Sequence, residues 1–281
     1  MISVSIVDSS GVDVFASYDH DGQDGEDILV ALSGWAGGVE VRSESVDRLG
    51  HGSFPAANFR TGRTMTVDML FERSGRAELW RLERRLSGLF AHGGYGTMTV
   101  NQDGDTLTTS VRLDGEVKPI VHLDSGYLEV QVPLVAPDPW LYAPERVVYA
   151  NPVGIGVAMD YPLFGVGGAL TYGAARNDSQ PVTNYGTATA YPSMWVYGDF
   201  PGGFKITAAG RTVQWPWPTS PAQPVRIEHS GSVWSESSNV THLATLRQWM
   251  PLEAGATYKP QLYALQGGTG YLETRIRDTY I

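Results

Sequence analysis

Leu128-Glu-Val-Gln-Val-Pro-Leu-Val-Ala-Pro-Asp-Pro-Trp140 carries the reading on which the fold turns. Its first part alternates apolar and polar side chains, so an extended strand there buries one face and wets the other. Its second part ends regular pairing, because each proline fixes φ, lacks an N–H, and pushes the residue before it into extended backbone. A half-buried strand that runs into Pro137, Asp138 and Pro139 marks a domain junction. The full length of 281 residues agrees, since single cores stop growing near roughly 250 to 300 residues.

Upstream the same alternation recurs in Ile2-Ser-Val-Ser-Ile6, Val39-Glu-Val-Arg42, Met65-Thr-Val-Asp-Met69 and Met98-Thr-Val100. These are the marks of an antiparallel sheet with one wet face. Asp8-Ser-Ser-Gly11, Asn101-Gln-Asp-Gly104 and Asp124-Ser-Gly126 supply turns between strands. One segment changes period: Leu79, Leu82, Leu86, Leu89 and Phe90 predict a helix over about 76–92. Ser74 or Gly75 is its N-cap and Gly93-Gly94 its stop. Arg76, Arg81, Arg84 and Arg85 alternate on it with Glu78 and Glu83, which favours a solvated or subunit-facing surface over a phosphate site. Residues 1–140 are therefore read as one β domain with a single helix.

Downstream, residues 141–180 are rich in glycine and proline and read as a linker or arm. Short strands resume in 192–197, 204–207, 212–215, 225–228, 258–265 and 271–279. Strands of that length with frequent turns predict a β-sandwich over 181–281. No fixed-period repeat is visible, which counts against propellers and β-helices.

Composition narrows the function. Thirty acidic against 20 basic residues give net −10, and the bases form no cluster, so sequence-specific nucleic-acid binding is not expected. The absence of cysteine excludes disulfides, thiolate metal sites and cysteine nucleophiles. No apolar run is long enough for a membrane span, and Met1 to Asp13 lacks the form of a secretion signal, so synthesis in the cytoplasm without membrane insertion is expected. The six histidines stand singly, without zinc-ligand spacing. Asp19, Asp21, Asp24 and Asp27 are a weak calcium-loop candidate. The EF-hand register fails, with Asp24 where glycine belongs and Val30 where the bidentate acid belongs, and a solvated acidic loop is the simpler reading. No nucleophile elbow, phosphate loop or dinucleotide fingerprint occurs, so neither enzymatic activity nor a cofactor is expected. Trp195 and Trp215 fall within strands and read as core, whereas Trp217, between two prolines, and Trp234 are the candidates for stacking on a sugar.

Four stretches, in this order, resemble the distal tail proteins of long, non-contractile-tailed bacteriophages. They are Arg60-Thr-Gly-Arg-Thr-Met-Thr-Val-Asp-Met-Leu70 leading into the helix; Leu128 to Trp140; Val182-Thr-Asn-Tyr-Gly-Thr-Ala188 on through Tyr191-Pro-Ser-Met-Trp-Val-Tyr-Gly198; and Gln248-Trp-Met-Pro-Leu-Glu-Ala-Gly255. The resemblance spans roughly residues 30–281. It implies an N-terminal β-barrel or split barrel with one helix, a galectin-like C-terminal sandwich, and a virion protein assembled in the host cytoplasm. It implies also a hexameric ring at the tail tip, joining the tail tube to the hub, with the tape measure protein and receptor-binding proteins as neighbours. The alternative is a carbohydrate-binding module that recognises host surface glycans through Trp217 and Trp234.

Overall fold

The computed structural model describes residues 2–18, 27–43, 46–54, 58–154, 158–164, 170–173 and 179–281. The chain is mainly β and divides into two units, Met1–Pro144 with Tyr280–Ile281, and Glu145–Thr279.

The first unit contains β1 (Ile2–Val7), β2 (Asp13–Ser17), β3 (Asp27–Ser33), β4 (Arg63–Glu72), α1 (Arg76–Ser87), β5 (Gly96–Gln102), β6 (Asp105–Leu113), β7 (Lys118–His122), β8 (Tyr127–Ala136) and β9 (Leu141–Tyr142). Their order is β8-β4-β3-β2-β1-β5-β6, and β6 pairs back onto β8 at Arg112↔Val135 and Leu113↔Leu134. The sheet therefore closes into a barrel. Two of its joints are narrow: this return pairing, and the parallel contact of β2 with β3 at Ser17↔Ile28. The other pairings are antiparallel, and the longest runs in register from Arg63↔Ala136 to Glu72↔Tyr127.

Except at Val39–Arg42, where the strand is only Val41–Ser43 and Val41 is exposed, alternation does what the sequence predicts: Val4, Ile6, Val14, Ala16, Met65, Val67, Met69, Met98, Val100, Val130, Val132 and Leu134 fill one core. Leu79 and Leu86 of α1 enter the same cluster, and each fully buried leucine contributes about 1.5–3 kcal/mol. The helix is shorter than the apolar stripe predicts and ends at Ser87, not near 92. Gly88 caps it by donating to Arg84 O and Arg85 O, and Phe90 then takes positive φ, which no continuing helix permits. Leu89 and Phe90 are buried by a turn instead.

Asp8 holds that turn. Its Oδ1 accepts from Ser10 N (2.8 Å), Ser10 Oγ (2.7 Å) and Val12 N (2.9 Å), and its Oδ2 accepts from Phe90 N (2.9 Å). Burial alone would raise the carboxyl's pKa, but these hydrogen bonds outweigh it and hold it below the ordinary value.

The second unit contains β10 (Arg146–Ala150), β11 (Ser193–Asp199), β12 (Phe204–Ala208), β13 (Arg211–Trp215), β14 (Val225–Ile227), β15 (Val233–Ser235), β16 (Ser238–Asn239), β17 (Leu246–Arg247), β18 (Gln261–Ala264) and β19 (Thr269–Ile276). A six-stranded sheet, β10-β19-β11-β14-β15-β16, and a four-stranded sheet, β17-β13-β12-β18, share one core that includes Val196, Phe200, Phe204, Ile206, Leu262 and Leu272. Within the stretch read as a linker, β10 pairs along β19 from Arg146↔Ile276 to Ala150↔Leu272. Residues 155–157, 165–169 and 174–178 of that stretch lie outside the described residues.

Asn184 staples the sandwich. Fully buried, it donates through Nδ2 to Ala188 O (2.7 Å), Leu252 O (3.1 Å) and Glu253 O (3.3 Å), while its Oδ1 accepts from Gly186 N (3.0 Å). At Gly186 a Cβ would lie 2.0 Å from Thr279 O, so only glycine fits.

Replacing Asp8 by alanine leaves three backbone donors without their acceptor and is expected to cost about 2–3 kcal/mol, measured by urea unfolding at neutral pH. Because the folded-state pKa is depressed, the contribution is complete above the ordinary carboxylate range and is lost as pH falls through the folded-state value. The stability gap between wild type and Asp8→Ala should therefore narrow in acid; a gap independent of pH contradicts the ionised clamp.

Candidate assembly surface

Between β3 and β4 the chain leaves the barrel as an arm. Val41–Ser43 pairs antiparallel with Asn58–Arg60, and further along Val46–Asp47 pairs with Ser53–Phe54. The nested pairs turn at Arg48–Gly52, where Arg48 N donates to Gly52 O (3.0 Å). An isolated two-stranded ribbon is marginal in water, and this one exposes Val41, Leu49, Phe54 and Phe59. Leu49 at the turn is completely exposed. Large apolar side chains concentrated on a ribbon mark a surface made to be covered.

The arm's base is fixed by Arg63. This residue falls on the inward parity of β4, in line with Met65, Val67, Met69 and Phe71, and is itself buried. Its Nη1 donates to Gly34 O (3.1 Å), Trp35 O (2.7 Å) and Gly37 O (3.2 Å), and its Nε to Pro139 O (3.2 Å). Among the described residues no carboxylate pairs with it. Burial first, and then the charge of nearby Arg60, pull its pKa below the usual arginine value. Gly34 makes the approach possible: its φ is +75°, and a Cβ would sit 2.0 Å from Thr64 O. The first strand pair of the arm is tied beside this base by Thr61 N to Glu40 O (3.0 Å) and Arg60 Nη1 to Val39 O (3.3 Å).

The predicted junction residues stand at the same place. Pro139 supplies a carbonyl to Arg63, and Asp138 accepts from Trp140 N (3.3 Å) and from Tyr142 Oη (2.6 Å). Pro137 follows directly on Ala136, the last residue of β8. Arg60 lies over the Trp140 ring, 5.9 Å from its centroid.

The other sequence candidates are scattered. Asp27 is ion-paired with Arg73 (2.5 Å), and Asp19, Asp21 and Asp24 lie outside the described residues. Among the described residues no group of three His, Asp or Glu is placed to hold a metal. Trp217 follows β13 of the four-stranded sheet, is about half exposed, and donates Nε1–H to Leu243 O (3.1 Å). Trp234 lies on β15 of the six-stranded sheet and donates to Ser232 Oγ (3.0 Å), whereas Trp217 lies in the loop after a strand of the other sheet. Trp215 is buried as expected. Trp195 is not core: Met194 and Val196 take the inward positions of β11, and Trp195 faces out. There Arg275 (4.6 Å) and Arg226 (5.3 Å) approach its ring, Arg226 also reaches Trp234 (5.7 Å), and Tyr197 stacks on Tyr271 (5.1 Å). The planar groups of this face spend their ring faces on one another. On α1, Arg85 pairs with Asp13, while Arg76, Arg81, Arg84 and Trp80 are exposed.

The arm and the role of Arg63 escaped the sequence reading. Parity was the available signal, because an arginine in register with Met65, Val67 and Met69 must enter the barrel wall. Arg63→Met removes the four hydrogen bonds that Arg63 makes to Gly34, Trp35, Gly37 and Pro139 and is expected to lower stability by about 2–4 kcal/mol; Gly34→Ala should do comparable damage through its clash with Thr64. Unfolding free energies from urea titration within about 0.5 kcal/mol of wild type for both variants would contradict this arrangement.

No family model and no curated protein matches the sequence. Solved structures do match, over essentially the whole length. The Dit protein (gp 19.1) of phage SPP1, a paradigm of the hub adsorption apparatus of phages that infect Gram-positive bacteria, superimposes with a TM-score of 0.65 at 12% identity, covering 99% of each chain. Chains of the phage P2 baseplate in its activated conformation, with calcium and with strontium, superimpose with a TM-score of 0.51 at 10% and 11% identity, covering 99% of this chain and 98% of theirs. The chain therefore has, across both units, the fold of phage Dit and baseplate proteins, the fold that its four sequence stretches resemble.

Proposed function

We propose that the chain is a distal tail protein of a long-tailed, non-contractile phage. It is a structural virion component that forms a hexameric ring between the tail tube and the tail-tip apparatus, assembled in the host cytoplasm. The observation that carries this reading is the full-length likeness to SPP1 Dit, a likeness that takes in both units. The arm supports it independently. A ring closes through heterologous contacts, so each subunit must offer two different surfaces, and a ribbon bearing Val41, Leu49, Phe54 and Phe59 has the composition of one of them. The tube protein, the hub and the tape measure protein are the neighbours this role requires, with receptor-binding proteins attached further out. The role asks for positioning and docking, and for no catalysis.

Light scattering after gel filtration, with negative-stain images, tests it. Six-fold rings of six chain masses are expected from the chain alone or on addition of tube or hub protein. Leu49→Asp combined with Phe59→Asp should keep the far-ultraviolet spectrum and lose the rings. A strictly monomeric wild-type chain under all these conditions contradicts the reading.

A further inference from the structure

Where β11 begins and β14 ends, the second unit has an opening between its two sheets. The floor is core from both: Met194 of β11 and Ile227 of β14 come from the six-stranded sheet and Val213 of β13 from the four-stranded one, with Met250 beside them. The cavity measures about 20 Å³, room for one methyl-sized group. The rim is of another kind and carries Tyr191, Trp249, Glu228 and His229. Gly231 makes room for the indole: its φ is +85°, and a Cβ there would lie 2.5 Å from Trp249 Nε1. Glu228 is held in place by Arg226, whose Nε lies 2.7 Å from Oε1. Arg226 is itself packed against the rings of Trp195 (5.3 Å) and Trp234 (5.7 Å).

A void of one methyl in a core is ordinary. This one differs in having polar groups at its mouth whose bonding capacity is unspent. The indoles of Trp217 and Trp234 donate to Leu243 O and Ser232 Oγ, but Trp249 Nε1 has no acceptor and Tyr191 Oη no partner among the described residues. The Glu228 carboxylate can only accept, and its charge is already met by Arg226, so it calls for hydroxyl or amide donors and not for a cation. An anion would meet that carboxylate, and a proline-rich peptide would bring it few donors. An apolar floor with a few convergent polar groups is the usual form of a small-molecule site. We infer that this opening binds a sugar bearing an acetamido group, a 2-acetamido hexose. Its methyl enters the floor, its amide carbonyl accepts from Trp249 Nε1–H, its hydroxyls donate to Glu228, and its ring lies on the exposed ring of Tyr191. The site uses neither Trp217 nor Trp234, and it does not depend on the ring proposed above.

Saturation-transfer NMR on the full chain, with N-acetylglucosamine and glucose as probes, tests the site. Transfer to N-acetylglucosamine is expected, strongest at the acetyl methyl, with an affinity in the millimolar range that suits a small neutral ligand with few contacts. Glucose should bind at least about tenfold more weakly, since it lacks the group that fills the floor and accepts from the indole. Tyr191→Ala and Glu228→Gln should each weaken binding about tenfold, and Trp217→Ala should leave it unchanged. Tyr191 is exposed, so Tyr191→Ala reads the site even if Glu228→Gln unfolds the chain. No transfer from N-acetylglucosamine at high millimolar concentration overturns the inference, as does equal binding of glucose. Binding that survives both rim variants and is lost in Trp217→Ala places the sugar elsewhere and also overturns it. The measurement is made on the chain in any state of assembly, so a failure to form rings leaves its result standing.

Discussion

A guanidinium buried without a carboxylate governs how the first unit is put together. Taking Arg63 out of water costs several kcal/mol unless its donors are met, and here backbone carbonyls of Gly34, Trp35, Gly37 and Pro139 meet Nη1 and Nε, while Nη2 is buried without a hydrogen-bond partner among the described residues. Those carbonyls come from the chain leaving β3 and from the chain leaving β8. One side chain thereby ties the start of the arm to the turn that follows β8. The positive φ of Gly34, the in-register pairing of β4 with β8, and the turn at Pro137-Asp138-Pro139 all answer to that geometry. A carboxylate partner would have paired with Arg63 at one point; carbonyls from separate segments make it a tie between them.

Asn184 does the equivalent work in the second unit. Its amide group bonds the carbonyls of Ala188, Leu252 and Glu253, and its own carbonyl accepts from Gly255 N (3.0 Å). Both ties use one polar side chain in an apolar setting to satisfy main-chain groups from distant parts of the sequence. A buried group whose partners are all backbone specifies position more than it adds net stability.

Much of this was legible in the sequence. Strand alternation reported the barrel core because side-chain parity and burial are the same fact in a closed sheet. The stretches that carried the family resemblance prove to be partners in space: Arg63–Leu70 lies along Glu129–Ala136, and Val182–Ala188 is bound to Leu252–Gly255. Their residue types are constrained by contact with each other, which explains why they are recognisable at all. What stayed hidden had weak local signals. The helix end moved to Ser87 because Leu89 and Phe90 bury their side chains equally well from a turn. Trp195 was misplaced because a tryptophan packed between arginines on an outer face looks, in sequence, like a tryptophan in a core. The arm was missed because Val41, Phe54 and Phe59 are apolar residues that stay exposed, and an apolar residue in a sequence reads as buried.

In the proposed ring the arm is a contact surface, and backbone hydrogen exchange on the full chain tests that. In the monomer the amides of Val41–Ser43 and Asn58–Arg60 should exchange within seconds, as in any isolated ribbon. In assembled rings they should slow by about a hundredfold or more, since a covered ribbon opens only when the contact does. Equal, fast exchange in both states would mean that the arm stays bare in the ring, and would contradict the claim that it is the surface through which subunits join.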